Sequence, residues 1–212
     1  MQAAGKGNGY HGFEWEWNGG VTTAGNTLRI EVYAVGEIVC HHLHIATINW
    51  AAPYLKNSKG WPSSNVTYRF HSNMTDSWKT AVRDGVSLWN SSGAGVTITE
   101  KTATASDPGS QNIIGLYYDK NTDVLAYYDP SYFLGVGKVV SFNIVINDAL
   151  LTAGLNKAKG TVAHEFGHVF WLDDNPETPF PTIMDYRDFA GSIYTPQASD
   201  IDNVYVKYKY GV

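Results

Sequence analysis

Apolar residues recur at Trp78, Val82, Val86 and Trp89, in steps of four, four and three, which is the stripe of an amphipathic helix. Thr75 just ahead of it has the character of an N-cap. Around this helix the pattern changes. Residues 66–70, 96–100, 112–118, 124–128 and 139–146 are short runs rich in Val, Ile, Tyr and Phe, bounded by Gly, Pro, Asp and Asn, and they read as strands. Residues 27–35 alternate Leu28, Ile30 and Val32 with polar neighbours and predict an earlier strand, and residues 39–55 a helix ending near Pro53. A further helix is predicted from about Leu155. A last one follows from Thr195, with Pro196 in its first turn and Ile201, Val204, Tyr205 and Tyr208 on one face. The order defines an α/β (α+β) chain without internal repeats.

Residues 57–64, with Gly60, Pro62 and three serines, are the best linker candidate. They divide the chain into an N-terminal extension, residues 1–60, serving as a pro-segment or as an extra strand and helix, and a main domain, residues 61–212. With 212 residues, 43% of them hydrophobic, the chain can bury a substantial core. Fifteen Lys and Arg against twenty Asp and Glu give a net charge of -5 with no basic run, so nucleic acid is not an expected partner. No apolar stretch approaches the roughly 20 residues of a membrane-spanning helix, and no membrane partner is expected. One cysteine excludes an intramolecular disulfide and leaves the compartment undecided.

The chemistry concentrates in His164-Glu165-Phe166-Gly167-His168. On a helix, residues four apart lie on the same face, so the two histidines can offer their imidazoles to one ion. Glu165, next to the first ligand, can act as general base on water whose pKa zinc lowers to about 7. Zinc requires a third protein ligand, and Asp173 and Asp174 follow soon after His168, with Pro176 limiting the helix. Both aspartates are candidates.

The longer stretch His164 to Asp174, HEFGHVFWLDD, resembles the extended HExxHxxGxxH motif of the metzincin peptidases, with Asp174 in the place of the third histidine, as in the snapalysin type. Thr182-Ile183-Met184-Asp185-Tyr186 is similar to the methionine turn that passes beneath the metal in that family. From about Asn65 onward, some two thirds of the chain, the order of elements resembles a bacterial matrixin-like catalytic domain. The resemblance implies a metzincin-like zincin with a twisted, mostly parallel sheet, an antiparallel edge strand, an active-site helix and a C-terminal helix. It also implies one catalytic Zn2+ held by His164, His168 and Asp174, with Glu165 as base and Tyr186 stabilising the oxyanion or serving as a displaceable ligand. The substrate would be a protein or peptide docked along the edge strand, and the enzyme an extracellular monomer whose signal peptide has been removed. Trp171 stands where the family has Gly, a position often at positive φ, so a differently built turn is expected, with Asp173 as the rival of Asp174. No histidine lies between His71 and His164, so the structural zinc of vertebrate matrixins has no expected counterpart.

Two other clusters bear on function. Cys40-His41-His42-Leu43-His44 could supply a thiolate that caps the metal, or a second metal site, but reads best as partly buried helix residues. Asp119-Lys120-Asn121-Thr122-Asp123 resembles half of a calcium loop and makes Ca2+ a candidate ion, although Val124 stands where such a loop needs Gly and a turn between strands explains it better. The contrasting function is a non-catalytic zinc-binding interaction module on the same scaffold, against which the intact Glu165 argues.

Overall fold

The computed structural model describes residues 60–133, 138–175, 181–185 and 193–210. The strand and helix expected before residue 57, Cys40 and its neighbouring histidines, and Tyr186 lie outside the described residues. The elements run β1 (Asn65–Phe70), α1 (Asp76–Asn90), β2 (Thr97–Glu100), β3 (Ile113–Tyr117), β4 (Ala126–Tyr132), β5 (Val139–Asn147), α2 (Asn156–Val169) and α3 (Ala198–Tyr210). The strands form one five-stranded sheet in the order β2-β1-β3-β5-β4. All neighbours are parallel except β4, which runs antiparallel to β5 at the edge. The α/β class with a mostly parallel sheet, an antiparallel edge strand, a central helix and a C-terminal helix is therefore the one observed.

Helix α1 begins where its cap allows. Thr75 has extended backbone, and its hydroxyl accepts the N–H of Trp78. Trp78, Val82, Val86 and Trp89 are all buried, as their spacing predicts. The Trp89 indole N–H donates to the Ala163 carbonyl at 2.7 Å, and its ring meets Phe170 edge-on, which pins α1 to α2. The two helices touch at Gly85, where a Cβ would come within 2.7 Å of the Lys159 carbonyl and 2.8 Å of Val162. Gly85→Ala gains about 1 kcal/mol of helix propensity and faces an overpacking cost of about 1–3 kcal/mol. It is expected to lower stability by about 1 kcal/mol, seen as a lower urea midpoint at unchanged slope.

Two boundaries differ from the sequence expectation. Strand β4 lies further along the chain than residues 124–128, because Asp129 and Pro130 read as punctuation but belong to an edge strand, where proline is tolerated. Helix α3 starts at Ala198 rather than at Pro196, since the Asp200 carboxylate reaches back to the Gln197 N–H, one half of a capping box. Its Tyr205, expected inward, is 38% exposed beside Lys209, and the fully buried positions are Asp200 and Val204. Within the expected linker Trp61 is anchored, its backbone N–H donating to the Val169 carbonyl and its ring meeting Phe142 edge-on at 5.7 Å, while Pro62 and Ser63 are exposed. Among the described residues no helix is long and apolar enough to cross a membrane.

Candidate metal centre

Helix α2 has no polar face to speak of. Ten of its residues are buried, from Ala158 to Val169, including His164 and Glu165. Two glycines permit this: a Cβ on Gly160 would stand 2.9 Å from Tyr194, and one on Gly167 would overlap the Met184 sulfur. The turn around Ile183 and Met184 thus passes directly against the helix that carries the histidines, and both residues are buried there.

His164 and His168 are oriented from behind. Nδ1 of His164 lies 2.8 Å from the Ile183 carbonyl, and Nδ1 of His168 lies 2.9 Å from the Leu172 carbonyl. A carbonyl only accepts, so both Nδ1 atoms carry the proton, and both Nε2 atoms are left to bind in front. There they meet one carboxylate: Asp174 Oδ1 is 3.2 Å from His164 Nε2 and 3.5 Å from His168 Nε2. One donor atom from each residue lies within 4.8 Å of the others. Tetrahedral zinc with bonds of about 2.0–2.1 Å sets its ligand atoms about 3.3 Å apart, so the donor types and the two separations from Asp174 fit that ion.

Asp173 does not join them. Its Oδ1 accepts the N–H of Asp174, which turns this carboxylate toward the backbone while Asp174 faces the imidazoles. Burial works against the charge of Asp174, but hydrogen bonding to His164 and the field of both rings hold its carboxyl below the ordinary range. Burial pushes His168 down to about 4, with His164 adding to the fall. Burial also opposes the charge of His164, yet Asp174, Glu165 and the Ile183 carbonyl outweigh it, and its pKa is raised.

Glu165 lies on the same helix and faces the cleft between α2 and β4. Burial pushes its carboxyl up to about 7, against the pull of His164 and of a hydrogen bond from the Tyr128 backbone N–H. Its Oε2 is buried and has no hydrogen-bond partner among the described residues. A buried carboxylate oxygen without a partner is costly unless something polar binds there, so the atom marks a place for water or substrate. The open cleft in front is lined by Ala126, Tyr127 and Tyr128 of β4 and by Thr161, Glu165 and Asp174.

The third candidate ligand depends on how α2 ends. The Leu172 N–H bonds to the Gly167 carbonyl and the Trp171 N–H to that of His168, the paired bonds of a Schellman motif. The residue in the left-handed position of that motif is Trp171, with φ 74. The sequence expectation of a differently built turn is therefore overturned. The turn is the ordinary one, made with a residue for which it costs about 1–2 kcal/mol. The same motif presents the Leu172 carbonyl to His168 and carries the chain on to Asp174.

Sequence reasoning misses Asp200. Its buried carboxylate accepts the Thr182 hydroxyl and the N–H groups of Ile183 and Gln197. It fixes the residue whose carbonyl holds His164. An acid three places after Gln197, where a helix could be capped, is the available signal. Among the described residues His164, His168 and Asp174 are the only trio of such side chains that could hold a metal ion, and no comparable set forms in residues 119–123 to support Ca2+. There Asp119 accepts the Asn121 N–H, and the Asn147 amide holds the Asp119 and Val124 carbonyls, as in a turn between strands.

No protein-family model matches the chain, and no curated protein matches it. Among solved structures it is similar to high choriolytic enzyme 1, a hatching enzyme zinc-protease from the medaka fish Oryzias latipes, at 13% identity and a TM-score of 0.46, over 71% of this chain and 94% of that one. It is also similar to myroilysin, at 20% identity and a TM-score of 0.37, over 69% of each chain. Likenesses of this size carry no argument about chemistry, which rests on the residues themselves.

Proposed function

We propose that the chain is a metzincin-like, zinc-dependent endopeptidase, matrixin-like in its order of elements and with a snapalysin-type aspartate as third ligand. The observation that carries this reading is the convergence of two backward-anchored imidazoles and the Asp174 carboxylate beside the unpartnered oxygen of Glu165. His164, His168 and Asp174 would hold one Zn2+. Zinc in such a set supplies a Lewis acid that polarises a carbonyl and lowers the pKa of water.

The chain's own groups perform the rest. Glu165 takes the proton of the attacking water as that oxygen adds to the scissile carbonyl carbon, and delivers the proton to the amine as the C–N bond breaks. A carboxyl pushed toward neutrality by burial suits a group that must both accept and return a proton. Tyr186, by its place two residues after Met184, would steady the oxyanion. Among the described residues β4 is the outermost strand of the sheet beside the cleft, a position that suits an extended protein or peptide substrate, which can add to it as a strand and lodge alternate side chains in the cleft. An extracellular location belongs to the same reading.

The test is cleavage of casein or a quenched peptide by wild type and Glu165→Gln, each with zinc and with a chelator. Equal cleavage in all arms would sink the reading. A protein that binds one zinc and cleaves nothing in a broad peptide library would be the non-catalytic module instead.

A further inference from the structure

Trp171 occupies a strained position, and two parts of the chain hold its side chain there. Its indole N–H donates to the Trp61 carbonyl at 2.7 Å. The Lys207 ammonium of α3 lies 4.5 Å from the centre of its ring, within cation–π range. Gly60 lies so close to the indole that a Cβ there would overlap it. The Tyr208 hydroxyl donates to the same Trp61 carbonyl at 2.8 Å, and the Trp61 N–H bonds to Val169 in the last turn of α2. The indole is thus clamped between the start of the main domain and the C-terminal helix.

We infer that Trp171 is a positioning residue for the metal: its anchored indole, rather than backbone freedom, holds the turn that brings Asp174 to His164 and His168. A glycine would make this turn by having no Cβ to strain, but it would also leave the turn free to open. Tryptophan makes the same turn under strain, and the clamp offsets the strain while restricting the turn to one conformation. Beyond the turn the chain is tied once more, where the Asn175 N–H bonds to the Met184 carbonyl at 2.9 Å. Asp174 therefore sits between two fixed points, Trp171 and Asn175. Affinity for zinc then depends on Trp61, Lys207 and Tyr208, none of which belongs to the metal-binding trio.

This inference rests on the zinc reading above, and its test separates the two. Zinc affinity is measured by competition with a chromophoric chelator, and the absorption bands of the cobalt(II) form report ligand geometry. The proteins are wild type, Trp171→Phe, Tyr208→Phe, Asp174→Ala and the double variant Trp171→Phe/Asp174→Ala. Phenylalanine keeps an aromatic ring but removes the bond to Trp61. Trp171→Phe is expected to weaken zinc binding by about 10- to 100-fold, the usual range for loss of a group that orients a ligand, and to shift the cobalt bands. Tyr208→Phe should move both readouts less, in the same direction. Because Trp171 acts through Asp174, its substitution should lose most of its effect in the Asp174→Ala background. Equal losses in the two backgrounds, or a Trp171→Phe protein that binds zinc like wild type, would overturn the inference and leave the zinc reading intact. A wild-type protein that binds no zinc overturns both. If Trp171→Phe does not fold, as judged by near-UV circular dichroism, Tyr208→Phe and Lys207→Ala carry the same comparison.

Discussion

Glu165→Gln should retain one bound zinc and cleave a peptide about 10²- to 10⁴-fold more slowly in kcat/KM, the range associated with loss of a general acid–base. The substitution is close in shape, and the amide oxygen can still accept the Tyr128 N–H, so packing in the buried helix should change little. What it removes is the ability to take a proton from water and return it to the departing amine. Metal content and thermal unfolding measured alongside activity separate this outcome from general damage. A Glu165→Gln variant that cleaves at the wild-type rate would exclude Glu165 as the base.

Substitution of the two neighbouring aspartates should give opposite results. Asp174→Ala removes the one carboxylate among the described residues that reaches both imidazoles, and zinc affinity should fall by more than the roughly 10- to 100-fold typical of an orienting group, with activity lost at ordinary zinc concentrations. Asp173→Ala removes a carboxylate that caps the neighbouring backbone N–H on the exposed surface, and both affinity and activity should stay within a few fold. Titration of each variant with zinc in a competing chelator reads the difference. The reverse order would assign the third ligand to Asp173.

The parts of this fold that can be read from sequence are those in which one periodic signal dominates. Helix α1 has a single apolar stripe and a threonine cap, and both are where the spacing puts them. Helix α2 is buried almost all round and shows no such stripe; its two histidines and the glutamate between them identify it instead. Strand β4 reads too early because Asp129 and Pro130 signal turns in isolation, and only their position at a sheet edge makes them strand residues. Trp171 shows a different limit. Its intrinsic preference argues against the turn it makes, and the contacts that override this preference come from residues 60–61 and 207–208, far away in sequence. Asp200 is similar, since its partners at Thr182 and Ile183 become neighbours only when α3 docks.

The three candidate ligands do not share one mechanical setting. His164 is locked into the core, its side chain 7% exposed, whereas the Asp174 side chain is 45% exposed on a turn at the rim. Under the zinc reading, an ion arriving from the cleft would meet the more exposed carboxylate first and the imidazoles behind it. Its departure would break the bond to the rim carboxylate as well as those to the two histidines, while the helix stays as it is. On the same reading, the short surface turn would contribute to the residence time of the ion, and the turn and the preorganised histidines together would set its equilibrium affinity. Substitutions in the turn would therefore change both how fast the ion exchanges and how tightly it is held, without rebuilding the core that receives it.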